Sequence, residues 1–365
     1  MINLNALLKI MVDREASDLH LRCGTAPVYR VNGNLFRASM DPILPDDMEQ
    51  MLKSVLSADK YNTFQLTNEL DFALGIKGIG RFRVNAFRQR GTASMAIRSI
   101  KTTVPQFSEL TLPEVILDLA MRKRGLILVT GTTGSGKSTL LASMINHINE
   151  VSSVNIITIE DPIEFLYRDK RSIIAQREIG TDAANFAEGI RASFRQDPDI
   201  LLIGEIRDQE TMETALSAAD TGHLVLSTLH TMNTVETISR IVSFFPPHQH
   251  DQIRLVLSSV LVGVVSLRLL PQKEKAGRVP AAEVLINNAS IAEYIQKPEM
   301  NHMILPAICD GYTTYGSQSF DQALLHLYQD EHITLETAKQ NASNPDDFEL
   351  QIQGVQGTSD RRWMT

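Results

Sequence analysis

Cysteine is nearly missing from this chain: Cys23 and Cys309 are the only two in 365 residues. Two thiols exclude a disulfide-rich scaffold and a cysteine-based metal site, and they point to a reducing compartment. Long hydrophobic runs are missing as well. The longest, 255–267, lies between Arg254 and Arg268 and is broken by serines and a glycine. It is too short to cross a bilayer and is expected to be buried protein, so no direct membrane insertion is expected. Residues 1–12 lack a basic leader, so no secretory signal is expected. Positive charge is in deficit: 35 Lys plus Arg against 43 Asp plus Glu leave −8. That balance, without a stacking-rich basic groove, argues against nucleic acid as the partner. Internal repeats and low-complexity tracts are absent too. What is there, 43% hydrophobic and 21% charged residues, describes a folded protein long enough for two domains.

Leu4, Leu7, Leu8 and Met11 recur at helical spacing and predict an opening amphipathic helix that packs on its own domain. Val28–Val31, an Asn32-Gly33 turn and Leu35-Phe36 predict a hairpin. Further strands are expected over 71–75, 81–87 and 93–100, so residues 1–100 form a small mixed α/β domain. The stretch 101–113, with two prolines, is the expected linker. Beyond it, short apolar strands at 125–130, 154–159, 200–203 and 224–227 alternate with helical stretches. That pattern predicts a largely parallel sheet covered on both faces, an α/β nucleotide-binding core. The core domain is expected over 114–345, with a strand at 282–286 and helices near 320–328 and 335–340. Residues 346–365 are expected to be a flexible tail.

The chemistry is concentrated in this second domain. Gly131-Thr132-Thr133-Gly134-Ser135-Gly136-Lys137-Ser138, followed by Thr139, has a strand before it and a helix after it, the context a phosphate loop needs. Its glycines let backbone N–H groups curl around a β-phosphate, and the helix start adds its positive end. Lys137 is expected to reach the β and γ oxygens, and Ser138 to ligand Mg²⁺. The motif points to ATP or GTP. Ile200 to Ile203 reads as the second nucleotide strand, with Gly204 where an aspartate is often found and Glu205 one position later, a candidate for the metal or its water shell. Glu160 and Glu164 end another apolar strand and are candidates to position and deprotonate the attacking water; Glu164 is the preferred base. Asp161-Pro162 between them also reads as a turn. His223 and His230 flank a strand seven residues apart, a spacing that weakens a shared metal site. His230, close to Thr228 and Thr231, is a candidate γ-phosphate sensor; for His223 a sensor and a structural role stay equally open. Arg81, Arg83, Arg88 and Arg98 lie on first-domain strands, Arg81 and Arg83 on one face by alternation. They are candidate fingers for a nucleotide held by a neighbouring subunit, against an ordinary solvated strand face. Arg195 and Arg207 are further candidates for coupling.

These blocks together resemble the secretion-type hexameric motor ATPases, and within them the twitching motility retraction ATPases of type IV pili. The likeness rests on Ala16-Ser17-Asp18-Leu19-His20, Gly80-Arg81-Phe82-Arg83-Val84-Asn85, the phosphate loop, and Thr158 through Glu164. It extends to Asp197-Pro198-Asp199 through Asp208 and to Thr221-Gly222-His223 through His230. The resemblance implies a PAS-like N-terminal domain, a RecA-like core with a helical C-terminal part, and a homo-hexameric ring, alone or with a paralogue. It implies ATP and Mg²⁺ as cofactors and a cytoplasmic place at the base of the pilus machine, acting through an inner-membrane platform protein to remove pilin subunits. It assigns Glu160 and Glu164 to an aspartate box, Glu205 to an atypical second nucleotide motif, His223 and His230 to a histidine box, and trans-acting roles to the first-domain arginines. In the principal retraction motor an Ala-Ile-Arg-Glu type helix stands where this chain has Asn287-Asn288-Ala289-Ser290-Ile291-Ala292-Glu293, without the arginine. That stretch, and Gln318 to Leu324, is similar to the accessory retraction branch. The alternatives are a nucleotide-binding regulatory ring that does not turn over and an extension or secretion ATPase. The last usually carries a four-cysteine zinc insertion, which two cysteines cannot supply.

Overall fold

The structure, a computed structural model, describes residues 3–31, 33–100, 103–274 and 277–352. Two compact units divide it: the first runs to Thr103 and takes in Glu164–Leu166, and the second comprises the rest from Val104.

In the first unit, helix α1 (Leu4–Asp13) is capped by the Asn3 side chain and buries Leu4, Leu7, Leu8 and Met11, the stripe its spacing predicts. Strands β1 (Asp18–Arg22), β2 (Val28–Val31) and β3 (Asn34–Arg37) precede helices α2 (Pro45–Val55) and α3 (Ala58–Thr67). Strands β4 (Glu69–Ile76), β5 (Gly80–Gln89) and β6 (Thr92–Ile100) follow. They form one antiparallel sheet in the order β3-β2-β1-β6-β5-β4. Alternation along the strands sends Leu19, Leu21, Phe82, Val84, Met95 and Ile97 into a core with residues of the three helices. On the opposite face the register sets Asp18 beside Arg98 and Arg98 beside Arg83.

The second unit takes up the chain earlier than the expected linker suggests. Phe107 is buried in its core, and Ser143 Oγ donates to the Pro105 carbonyl at 2.8 Å; Lys101 and Thr102 lie outside the described residues. Helix α4 (Val115–Ala120) leads to β7 (Gly125–Thr130), α5 (Lys137–Val151), β8 (Asn155–Glu160), β9 (Ile173–Glu178) and α6 (Phe186–Ser193). Then come β10 (Ile200–Ile203), α7 (Gln209–Asp220), β11 (Leu224–Leu229), α8 (Thr234–Ser243), α9 (His250–Val260), β12 (Leu261–Pro271) and β13 (Arg278–Ile286). The chain continues through α10 (Ala289–Gln296), α11 (Ile304–Asp310), α12 (Tyr312–Tyr315), α13 (Phe320–Gln329), α14 (Leu335–Asn341) and α15 (Pro345–Ile352).

The sheet order is β13-β12-β7-β11-β10-β8-β9, parallel except for the β12/β13 pair. Every residue of β7, β10 and β11 is buried, as a sheet covered on both faces requires. Leu126, Leu128, Ile157 and Leu201 pack with the α6–α9 side, while Ile127, Val129, Ile156 and Ile200 pack with α4 and α5. The apolar run 255–267 is half helix and half strand, since α9 ends at Val260 and β12 begins at Leu261. Of the stretch 346–365 expected to be a flexible tail, residues 346–352 belong to α15. Phe348 is 2% exposed against Phe320, Leu324 and Leu327, enough apolar burial to hold that helix. Residues 353–365 lie outside the described residues. Among the described residues no helix is long and apolar enough to cross a membrane.

Candidate active site

Four parallel strands end at one edge of the second sheet. Thr130 lies opposite Leu229, Ser227 opposite Ile203, and Ile203 opposite Ile159. The residues that follow, Gly131, His230, Gly204-Glu205 and Glu160, therefore leave the sheet together at its carboxyl edge, where open α/β sheets bind ligands.

The phosphate loop crosses from β7 to α5 with Gly131, Gly134 and Gly136 at φ of +139°, +80° and +100°. At Gly131 the demand is strict, because a Cβ would stand 2.5 Å from the Leu267 carbonyl oxygen and 2.5 Å from Ser135 Oγ. Lys137 opens α5, is 8% exposed, and folds back so that Nζ donates to the carbonyls of Gly131 at 2.8 Å and Thr132 at 3.1 Å. Ser135 Oγ is buried and has no hydrogen-bond partner among the described residues. A glycine cradle that rejects a side chain, an orphaned hydroxyl, an ammonium at a helix start and the positive end of that helix together fit a bound polyphosphate. Beside the loop is a cavity of about 200 Å³, which shares Ser135, Gly136 and Thr139 with it. Leu110, Leu140, Leu267 and Leu269 supply apolar lining, and Gln272 and Arg278 supply polar groups.

Glu160 ends β8 at 8% exposure, and its Oε1 accepts from Thr158 Oγ1 at 2.6 Å and Gln176 Nε2 at 3.2 Å. Gln176 comes from the neighbouring β9, and its own Oε1 accepts the Tyr167 amide at 3.0 Å. Burial pushes the Tyr167 phenol well above its ordinary pKa, and the Glu160 carboxylate adds to that rise. None of these supports carried a sequence signal, since only the β8/β9 register brings Gln176 to Glu160. Asp161-Pro162 is a cis peptide. Glu164 lies in the 164–166 segment that groups with the first unit.

Glu205 is held between two cations or potential cations: Arg207 Nη2 at 2.7 Å from Oε1 and His230 Nε2 at 3.4 Å from Oε2. The Glu205 side chain is only 14% exposed, while Arg207 is 71% and His230 is 46% exposed. Thr228 Oγ1 donates to the Gly204 carbonyl at 2.8 Å, tying the ends of β10 and β11. His223 is not part of this cluster. It precedes β11, and a six-residue strand rises about 20 Å, so it sits at the opposite edge of the sheet. There it bonds the Ala218 carbonyl through Nδ1 at 3.0 Å and packs in a tilted arrangement against the Phe194 ring. Among the described residues no group of three or more His, Cys, Asp and Glu could hold a metal ion by itself. Ser138 and Glu205 offer oxygens that suit Mg²⁺ once phosphates complete the shell.

The four first-unit arginines separate. Arg83 is exposed on the open face of the sheet, where Arg98 Nε donates to Asp18 at 2.9 Å and Arg81 is two positions along the strand from Arg83. Asp18 also meets Arg30 at 3.6 Å. Arg88 falls on the other, helical face because it is an odd number of residues from Arg83. It donates to Gln65 at 2.7 Å, pairs with Glu49 at 3.8 Å and lies over the Phe64 ring.

A family model described as "Type II/IV secretion system protein" matches residues 2–334. The chain belongs to this family. Within the secretion family it is 40% identical over 346 residues to the type IV pilus ATPase PilU of Pseudomonas aeruginosa, covering 95% of this chain and 90% of that protein. The type IV pilus retraction ATPase PilT of the same organism is 38% identical over 347 residues, covering 95% of this chain and 100% of that protein. A crystal structure of the pilus retraction motor PilT with bound ADP is 43% identical and superposes with a TM-score of 0.88 over 96% of this chain and 99% of that one. The fold class expected from sequence is thereby shown: a small α/β domain, then a RecA-like secretion-family core with a helical C-terminal part.

Proposed function

We propose that this chain is an ATPase subunit of a type IV pilus machine, a hexameric ring at the cytoplasmic side of the inner membrane that drives or assists pilus retraction. The observation that carries this reading is the convergence of the phosphate loop, Glu160, Glu205 and His230 on one sheet edge, in a chain similar over most of its length to the pilus ATPases PilU and PilT. The N-terminal α/β domain corresponds to the PAS-like part, and an inner-membrane platform protein is the expected docking partner. The missing arginine in 287–293 favours the accessory branch over the principal motor.

In this scheme the β- and γ-phosphates take over the Lys137 ammonium from the carbonyls of Gly131 and Thr132, and the loop amides and Ser135 close around them. The nucleobase enters the cavity beside Thr139. Ser138 and Glu205 would hold Mg²⁺, which would supply charge neutralisation at the phosphates. Glu164 accepts the proton of the attacking water, and Glu160, fixed by Thr158 and Gln176, orients that water. His230, in contact with Glu205, registers the presence of the γ-phosphate. Arg83, Arg98 and Arg81 reach the nucleotide of a neighbouring subunit. Arg88, on the opposite, helical face of the sheet, has no part in it.

Mixing two inactive variants tests the composite site. Lys137→Ala and Arg83→Ala subunits are each expected to be nearly inactive alone. Ring interfaces are heterologous, so random co-assembly places roughly a quarter of sites between an intact loop and an intact arginine. Recovered Mg²⁺-dependent turnover in the mixture is the expected result, and no recovery from rings shown to be mixed contradicts a trans-acting Arg83.

A further inference from the structure

Glu283 is a buried carboxylate that the reaction above leaves without a role. It is 4% exposed on β13, in a cross-strand row that runs Leu229, Thr130, Ser266, Glu283. It therefore lies level with the last β7 residue before the phosphate loop. An isolated carboxylate there would be strongly disfavoured, and the structure shows what compensates it. The Thr234 amide and Thr234 Oγ1 both donate to Oε1 at 2.8 Å, and the start of α13 at Phe320 and the Arg268 guanidinium also favour its charged form. Thr234 is the first residue of α8 and Phe320 the first of α13. The carboxylate is thus bonded to the start of α8 and lies by the start of α13, each bringing the positive end of its dipole. Burial still raises its pKa above the ordinary glutamate value, against the pull of these donors and of Arg268.

Each helix leads somewhere relevant. Thr234 is four residues after His230, and the intervening segment is tied to α8: Thr231 Oγ1 lies 2.6 Å from Thr237 Oγ1, and the Met232 amide donates to Glu236 at 2.8 Å. A shift of His230 therefore moves with the start of α8. On the other side, the Arg268 guanidinium lies 3.8 Å from the Phe320 ring centroid and donates to the Asn341 carbonyl at the end of α14 at 3.0 Å.

We propose that Glu283 is a positioning residue that couples the His230 segment to helices α13 and α14, so that these helices respond to the nucleotide state. The proposal rests on His230 acting as the γ-phosphate sensor. A bistable element biased by both ends is what such coupling requires.

Glutamine at 283 keeps the volume and an acceptor oxygen for Thr234 but removes the charge that the start of α13 and Arg268 stabilise. The test is amide hydrogen exchange over 320–341 in the assembled full chain with Mg²⁺ and a non-hydrolysed ATP analogue against Mg²⁺ and ADP. The wild type is expected to show a nucleotide-dependent difference there, and Glu283→Gln to lose most of it. Turnover should fall about tenfold while analogue affinity changes by less than about threefold, the split expected of lost coupling rather than lost binding. An unchanged exchange difference with unchanged kcat in Glu283→Gln overturns the proposal. His230→Ala reports separately: a difference that survives that variant removes the sensor reading, whereas one lost in His230→Ala but kept in Glu283→Gln removes only Glu283. Should Glu283→Gln fail to assemble, Thr234→Val, which deletes one of the two Thr234 donors, is read in the same way: a diminished difference supports the coupling and a full one overturns it.

Discussion

Lys137→Ala is expected to lower kcat/KM for Mg-ATP by about 10²- to 10³-fold, the loss typical when one preorganised donor to a developing oxyanion is removed. The side chain is already in the loop, its ammonium resting on two carbonyls that a phosphate can replace without reorganising the backbone. The fold should survive, because the change removes two hydrogen bonds worth only ~1 kcal/mol each in net terms. Thermal unfolding separates the effects. With nucleotide at a hundred times Kd the wild type should gain ~2.7 kcal/mol of stability, and the variant little or none. A variant still stabilised by ATP to the wild-type degree would remove Lys137 from the phosphates.

Glu164→Gln is expected to reduce turnover by about 10²- to 10⁴-fold with ATP binding preserved, since a carboxamide cannot take the proton of the attacking water. Glu160→Gln should cost less, about tenfold, because a Gln oxygen still accepts from Thr158 and Gln176 and only the charge assistance is weakened. Single-turnover rates with saturating ATP measure both variants free of binding. The reverse order would make Glu160 the base and Glu164 the orienting group.

The phosphate loop was legible because eight residues carry their own geometry: glycines for the turn, a lysine at the helix start, an apolar strand ahead. The strand edges at Glu160, Glu205 and His230 were legible for the same reason, each being an apolar run that stops at a polar residue. What escaped was whatever depends on register or direction. Gln176 reaches Glu160 only through the β8/β9 pairing, and Glu283 reaches Thr234 only because β13 lies two strands from β7. The resemblance groups His223 with His230 in one histidine box, yet a strand carries its two ends to opposite edges of the sheet. Arg88 was grouped with Arg83 until strand parity placed it among the helices. Strand β1 alternates as a half-buried strand should, but its outward positions are Asp18, His20 and Arg22, which in sequence read as chemistry rather than as the open face of a sheet. In 255–267 an apolar stretch interrupted only by serines and a glycine has no clear period to distinguish helix from strand.

The measurement that tests the central claim most directly is Mg²⁺-dependent ATP turnover across size-resolved, mass-assigned fractions of the purified protein, with Lys137→Ala and Glu164→Gln alongside. Turnover confined to the hexamer, dependent on Mg²⁺ and lost in both variants, is the predicted result. A hexamer that binds ATP and never hydrolyses it would contradict the account and make the chain a regulatory ring component.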